Sequence, residues 1–149
     1  MDWVLALMLF LQPEAPWRDT YKDTARAIAD VVDEEPALFD GEDANTRTTT
    51  LLVATAYGES RFRPDAVGDH GQSRGLYGRW GARAKVLDPV IETRLAMSNM
   101  RTSMEACERL PPSERLAAYA SGSCAKGRGI SRARMDLATR LLFVSRVPL

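Results

Sequence analysis

Glu59 stands in the run Ala56-Tyr57-Gly58-Glu59-Ser60-Arg61-Phe62-Arg63-Pro64-Asp65-Ala66-Val67, where an apolar stretch ends on a carboxylate just before an aromatic residue and a proline. Taking an ionised carboxylate out of water is costly, and the usual response is a raised pKa. A glutamate buried at such a helix end is expected to titrate well above a free one, to keep its proton near neutral pH and to give it to a leaving oxygen, which is general acid catalysis. Two further groups of residues extend the pattern. Gly71-Gln72-Ser73-Arg74-Gly75-Leu76 supplies glycines that turn tightly or let a polymeric ligand approach the backbone, and Ala118-Tyr119-Ala120-Ser121-Gly122 brings a tyrosine and a glycine farther along.

Together the three blocks resemble the lysozyme-like lytic transglycosylases, whose pattern runs Glu-Ser-x-Phe-x-Pro-x-Ala, then Gly-Ser-x-Gly-Leu-Met-Gln, then Ala-Tyr-Asn-x-Gly. The likeness covers roughly residues 45 to 130, and its specificity lies in the combination, each block alone being weak. It implies a mainly α, lysozyme-like single domain acting on peptidoglycan glycan strands without a cofactor or metal. It also implies cleavage of the MurNAc-GlcNAc bond with Glu59 as acid and then base, the muramyl 6-hydroxyl trapping the cation to leave a 1,6-anhydro sugar. The implied place of action is the cell envelope or periplasm, or a virion.

Ser60, Ser73, Gly75, Tyr77 and Tyr119 are the candidate substrate-binding positions, Ser73 matching a family serine that lines the cleft. Ser60 either orients Glu59 or caps the following turn; Tyr119 either reaches Glu59 from a facing helix or is a core tyrosine. Tyr77 and Trp80 suit stacking on sugar faces, though Trp80 fits a core anchor equally, while Phe62 and Leu76 read as packing. A hydrolase would need a second carboxylate about 5 to 9.5 Å from the first, and Asp69 is better placed for that than Asp65. Two departures from the pattern matter. Tyr77-Gly78 stands where the family has Met-Gln, and Tyr119-Ala120 where it has Tyr-Asn, so two amides expected on the substrate are missing. A weakly active or non-enzymatic part of a phage particle or envelope-spanning assembly is therefore one alternative; a lysozyme-type hydrolase and a glycan-binding module are the others.

The elements that must hold these residues are helical. Trp17, Tyr21, Ala25, Ile28 and Val32 recur at helical spacing. Leu51 to Tyr57 is apolar on all sides, and Thr46 to Glu59 is long for a strand, so a buried helix is expected there. Residues 60 to 87 carry five glycines and a proline and predict an irregular loop or small hairpin. Asp88-Pro89 starts the next helix well, with Glu92 complementing its dipole and Ile91, Leu95, Met97, Met100, Met104 and Cys107 along its apolar side. Glu114 to Ser121, closed by Gly122, and a last helix capped by Ser131 with a Met135, Ala138, Leu141 and Leu142 stripe complete about five helices.

At 149 residues the chain suits one domain, and its 45% hydrophobic and 27% charged residues argue against disorder. Residues 1 to 75 hold 14 acidic and 7 basic side chains, residues 76 to 149 hold 6 and 13, so the zero net charge hides a dipolar chain. Mutual neutralisation of the halves is favoured over a basic face for an anionic polymer, and nucleic-acid binding is not inferred. His70, the sole histidine, reads as an exposed loop residue. Cys107 and Cys124 fit a disulfide and a pair of buried thiols equally well. Residues 1 to 15 read as an apolar segment preceding a catalytic domain at 16 to 149. The run Trp3 to Leu11 is too short for a transmembrane helix, which needs about 20 residues. Asp2 before it and Gln12-Pro13-Glu14 after it do not read as a cleaved signal. Docking on a protein partner or another copy of the chain is the favoured reading over packing on the domain.

Overall fold

The computed structural model describes residues 1–81 and 87–145, the side chains of Asp69 and Ser145 excepted. In chain order its elements are helices α1 (Asp2–Leu11), α2 (Tyr21–Glu34) and α3 (Ala44–Ser60), then strands β1 (Val67–Gly68), β2 (Ser73–Arg74) and β3 (Arg79–Trp80). Helices α4 (Pro89–Ala106), α5 (Ala117–Ser121) and α6 (Arg128–Ser145) follow. The protein is mainly helical, with six helices among the described residues and a small antiparallel sheet in the order β1-β2-β3. The sheet is the hairpin expected after Glu59, with one strand more, and the sixth helix is α1.

Helix α3 is the axis. Every residue from Thr48 to Ala56 is buried, as expected for a helix without a polar face. Its threonines remain compatible with burial because Thr48, Thr49 and Thr50 donate their hydroxyls to the carbonyls of Ala44, Asn45 and Arg47 at 2.8, 2.9 and 3.0 Å. The helix ends on two successive non-glycine residues with left-handed backbone, Arg61 (φ 54°) and Phe62 (φ 62°). Such conformations cost about 1 to 2 kcal/mol each. The burial of Phe62 offsets this, its ring lying 5.4 Å from Tyr21 and 5.6 Å from Tyr57, while Trp17 Nε1 donates to the Arg61 carbonyl at 2.9 Å. The turn after Glu59 is thus fixed by packing.

Several sequence expectations need correction. Val4, Leu7 and Met8 of α1 lie in the same core cluster as Leu51, Met100 and Leu141, so the N-terminal segment does not stand apart awaiting a partner. A helix needs only one apolar stripe to dock, and the domain takes that stripe, leaving Trp3 and Phe10 exposed. On α4, Asp88 caps as expected, accepting from Val90 N at 2.9 Å, but the buried face runs through Glu92, Thr93, Ala96, Met97, Met100 and Ser103. Ile91 and Leu95 fall on another side and are exposed. Ser131 does not cap α6, which begins at Arg128. Its hydroxyl instead donates to Ser113 O at 2.8 Å and accepts from Leu116 N at 3.0 Å, tying α6 to the segment before α5. Gly122 closes α5 in the left-handed conformation, as expected. Among the described residues no helix is long and apolar enough to cross a membrane.

Candidate active site

Glu59 occupies the next-to-last position of α3 and lines a cleft of about 820 Å³. Tyr77, Gly78, Arg79 and Trp80 bound the cleft on the hairpin side, Asn99 on α4, and Ala118 to Gly122 at α5. Of the residues singled out from sequence, Glu59, Tyr77 and Tyr119 meet here. Trp80 stands at the rim, 75% exposed, which removes the core-anchor reading and leaves an aromatic face open to a ligand.

Full burial, expected of Glu59, is not what it has. Its side chain is 24% exposed and its Oε1 is ion-paired with the Arg134 guanidinium of α6, itself only 9% exposed. The charge that burial was expected to suppress is met instead by a counter-charge and some solvent. Arg134 Nε and Nη1 are buried with no hydrogen-bond partner among the described residues. The pairing with Glu59 is therefore what offsets the cost of burying that guanidinium. The same cation lies 5.9 Å from the centre of the Tyr119 ring.

Tyr119 stands beside Glu59 but donates its hydroxyl to the carbonyl of Tyr77 at 3.4 Å. Burial drives its phenol far above the ordinary range, the negative charge of Glu59 pushes the same way, and Arg134 opposes. Tyr77 is likewise raised, first by burial, and its hydroxyl sits 3.4 Å from Thr93 Oγ1. Both phenols stay protonated; Tyr119 donates its hydroxyl, and that of Tyr77 accepts from Thr93.

Ser60, Ser73 and Gly75 are not among the described residues that line the cleft. Ser60 Oγ is buried between the carbonyls of Leu76 (2.7 Å) and Ala56 (3.0 Å), stitching the end of α3 to the hairpin loop. Ser73 is buried in β2, opposite Gly68 and Trp80. Gly75 (φ 84°) lies on the carboxylate of Glu92, where an added Cβ would fall 2.1 Å from Oε1. Gly78 (φ 59°) lies on Glu59 itself, a Cβ there meeting Oε2 at 2.7 Å. The positive φ at 78 is one that side chains rarely adopt, so a glycine suits this close approach to the carboxylate. Asp69 belongs to the turn Asp69–Gly71, but its side chain, and with it the second-carboxylate expectation, lies outside the described residues. His70 is exposed, as expected.

Sequence reading missed Arg134, Glu92 and Asn99. Ser131, Arg134, Ala138 and Leu141 share the buried spacing of α6, and an arginine on an apolar stripe was the available signal. Glu92 shares a stripe with Ala96, Met100 and Ser103 in the same way; it is 1% exposed, accepts from Leu76 N at 2.6 Å and faces Arg79 Nη2 at 3.4 Å. Its carboxyl is raised by burial, with the Leu76 N–H and the Arg79 charge opposing. Asn99 brings an amide into the cleft from α4, in a chain that lacks the two family amides.

No protein-family model, curated protein or solved structure matches the chain. What the cleft can do follows from its described residues: among them are one accessible carboxylate with a cationic partner, two neutral phenols, an amide and an exposed indole.

Proposed function

We propose that the protein is a peptidoglycan-cleaving enzyme of the lytic transglycosylase type with a lysozyme-like fold. The observation that carries the reading is Glu59 itself, held at the end of a buried helix in an open cleft whose rim is the exposed indole of Trp80. An indole face stacks on sugar rings, and Glu59 as the one carboxylate lining the cleft among the described residues suits a reaction in which the substrate supplies its own nucleophile. Glu59 protonates the leaving oxygen as the glycosidic C–O bond breaks. It then takes the proton of the 6-hydroxyl as that oxygen bonds to the anomeric carbon, so no water is consumed. The pairing with Arg134 holds the Glu59 carboxyl in place at the cleft. The disulfide joining Cys107 and Cys124 supports action in an oxidising compartment such as the periplasm.

That same ion pair favours a second reading, a lysozyme-like assembly part that binds glycan strands without cutting them, because the Arg134 guanidinium occupies a carboxylate oxygen that an acid catalyst would turn to the substrate. Digestion of purified cell wall, with mass analysis of the products, separates the two. Glu59→Gln is expected to stay folded and to lose cleavage by about 10²-fold or more, the usual worth of a general acid. The wild-type products are expected to be 1,6-anhydro ends. Retention of most activity by the variant would remove Glu59 from the mechanism, reducing ends alone would make the enzyme a hydrolase, and no cleavage by the parent chain would leave the binding reading.

A further inference from the structure

Glu92 is a buried carboxylate outside the cleft lining, and besides the Leu87 N–H its partners belong to the segment from Gly75 to Arg79 that ends in the cleft wall. Leu76 N–H points at its Oε2 at 2.6 Å, the Gly75 backbone rests on it, and Arg79 Nη2 faces its Oε1 at 3.4 Å. Between those two ends lie only Tyr77 and Gly78. Tyr77 accepts from the Tyr119 hydroxyl through its carbonyl, and Gly78 packs on Glu59. One carboxylate therefore anchors both feet of the four-residue arch that covers Glu59.

We propose that Glu92 is a positioning residue for the Glu59 site: it fixes the arch from Leu76 to Arg79 and sets the Arg79 guanidinium at the cleft edge as a charged donor to the glycan. The proposal rests on the functional reading above for what the cleft binds. A neutral isostere at 92 would keep an acceptor for Leu76 N–H but give up the charge that orients Arg79. Charge-assisted bonds are about twice as strong as neutral ones, so it is the Arg79 foot that loosens. The other groups facing Glu92 are the phenols of Tyr77 and Tyr119 and, across Gly78, Glu59 with its partner Arg134. The phenols stay neutral under acid conditions, and Glu59 is followed by its own side-chain signal.

The test is Glu92→Gln in the full chain, read by NMR without substrate and by wall digestion. In the wild type the amide signals of Leu76 to Trp80 are expected to titrate together with the Glu92 carboxyl carbon as pH falls, and in the variant that shared titration disappears. In digestion, KM is expected to rise about tenfold, the size of a lost charged hydrogen bond, while kcat changes less than about twofold. Arg79→Met should reproduce the KM effect, with the double variant adding nothing; it also carries the test if Glu92→Gln does not fold. Arch signals that titrate unchanged in the variant, or an effect on melting temperature alone, would overturn the proposal. If the wild type leaves cell wall intact, the functional reading fails by itself, and the NMR titration still decides whether Glu92 sets the arch.

Discussion

Two glutamates, Glu59 and Glu92, stand on either side of the Leu76 to Arg79 arch in different surroundings. Glu59 is partly exposed and paired with Arg134; Glu92 is sealed beneath the arch with its carboxyl raised by burial. The raised value fixes a sign for stability. Between the ordinary glutamate value of 4.5 and the raised folded value, the folded chain holds a proton that the unfolded chain has released. The contribution of Glu92 is therefore fully present below that ordinary value and is lost as pH rises through the folded one. Urea midpoints measured between acid and neutral pH should fall with pH more steeply in the wild type than in Glu92→Gln. An identical pH dependence in the two would mean that Glu92 titrates normally. Comparison with the variant is needed because Asp65, lowered by its hydrogen bond and pairing with Arg63, contributes with the opposite slope.

Among the elements, α1 carries the clearest test. Val4, Leu7 and Met8 each bury a side chain worth about 1.5 to 3 kcal/mol before ordering costs. Deleting residues 1 to 12 should therefore abolish or severely weaken the cooperative melt seen by circular dichroism. Met8→Ala alone should cost about 2 to 5 kcal/mol, the range for emptying a packed core position. A truncated chain that melts like the parent, and fails only to bind a partner, would restore the docking role read from the sequence. The same logic explains α3: Thr48, Thr49 and Thr50 are satisfied within the helix, while Thr55 Oγ1 is buried with no partner among the described residues, and the helix crosses the core and delivers Glu59 at its far end.

At the scale of the molecule, the acidic first half and basic second half meet rather than segregate. Arg94 of α4 pairs with Glu34 and Glu35 at the end of α2, and Arg134 of α6 with Glu59 of α3, as mutual neutralisation required. The disulfide joins Cys107, just past α4, to Cys124, just past α5, and so holds the α5 wall of the cleft against α4. Closing a loop with 17 residues of separation is worth about 3 kcal/mol in the chain-entropy model. Reduction, or Cys107→Ser with Cys124→Ser, should lower unfolding stability by about that amount in urea titrations and loosen the wall bearing Tyr119. Unchanged stability on reduction would show that the bridge does not constrain the unfolded chain.

The sequence by itself determined five of the six helical segments among the described residues and some of the signals that bound them, because apolar periodicity, the Asp88-Pro89 start and the Gly122 stop are local physics; the α1 helix and the start of α6 were not legible in it. It also determined that Glu59 closes an apolar helix and that a glycine-rich hairpin follows. Only the tertiary structure decided what surrounds that carboxylate. Arg134 lies 75 positions away and Glu92 is 16 beyond Leu76, and nothing local indicates that a charged residue on a buried stripe will find its counter-charge across the core. The fate of α1 was undecidable for the same reason. An apolar run gains as much free energy against its own domain as against a partner, and the choice depends on whether the other helices leave a matching groove.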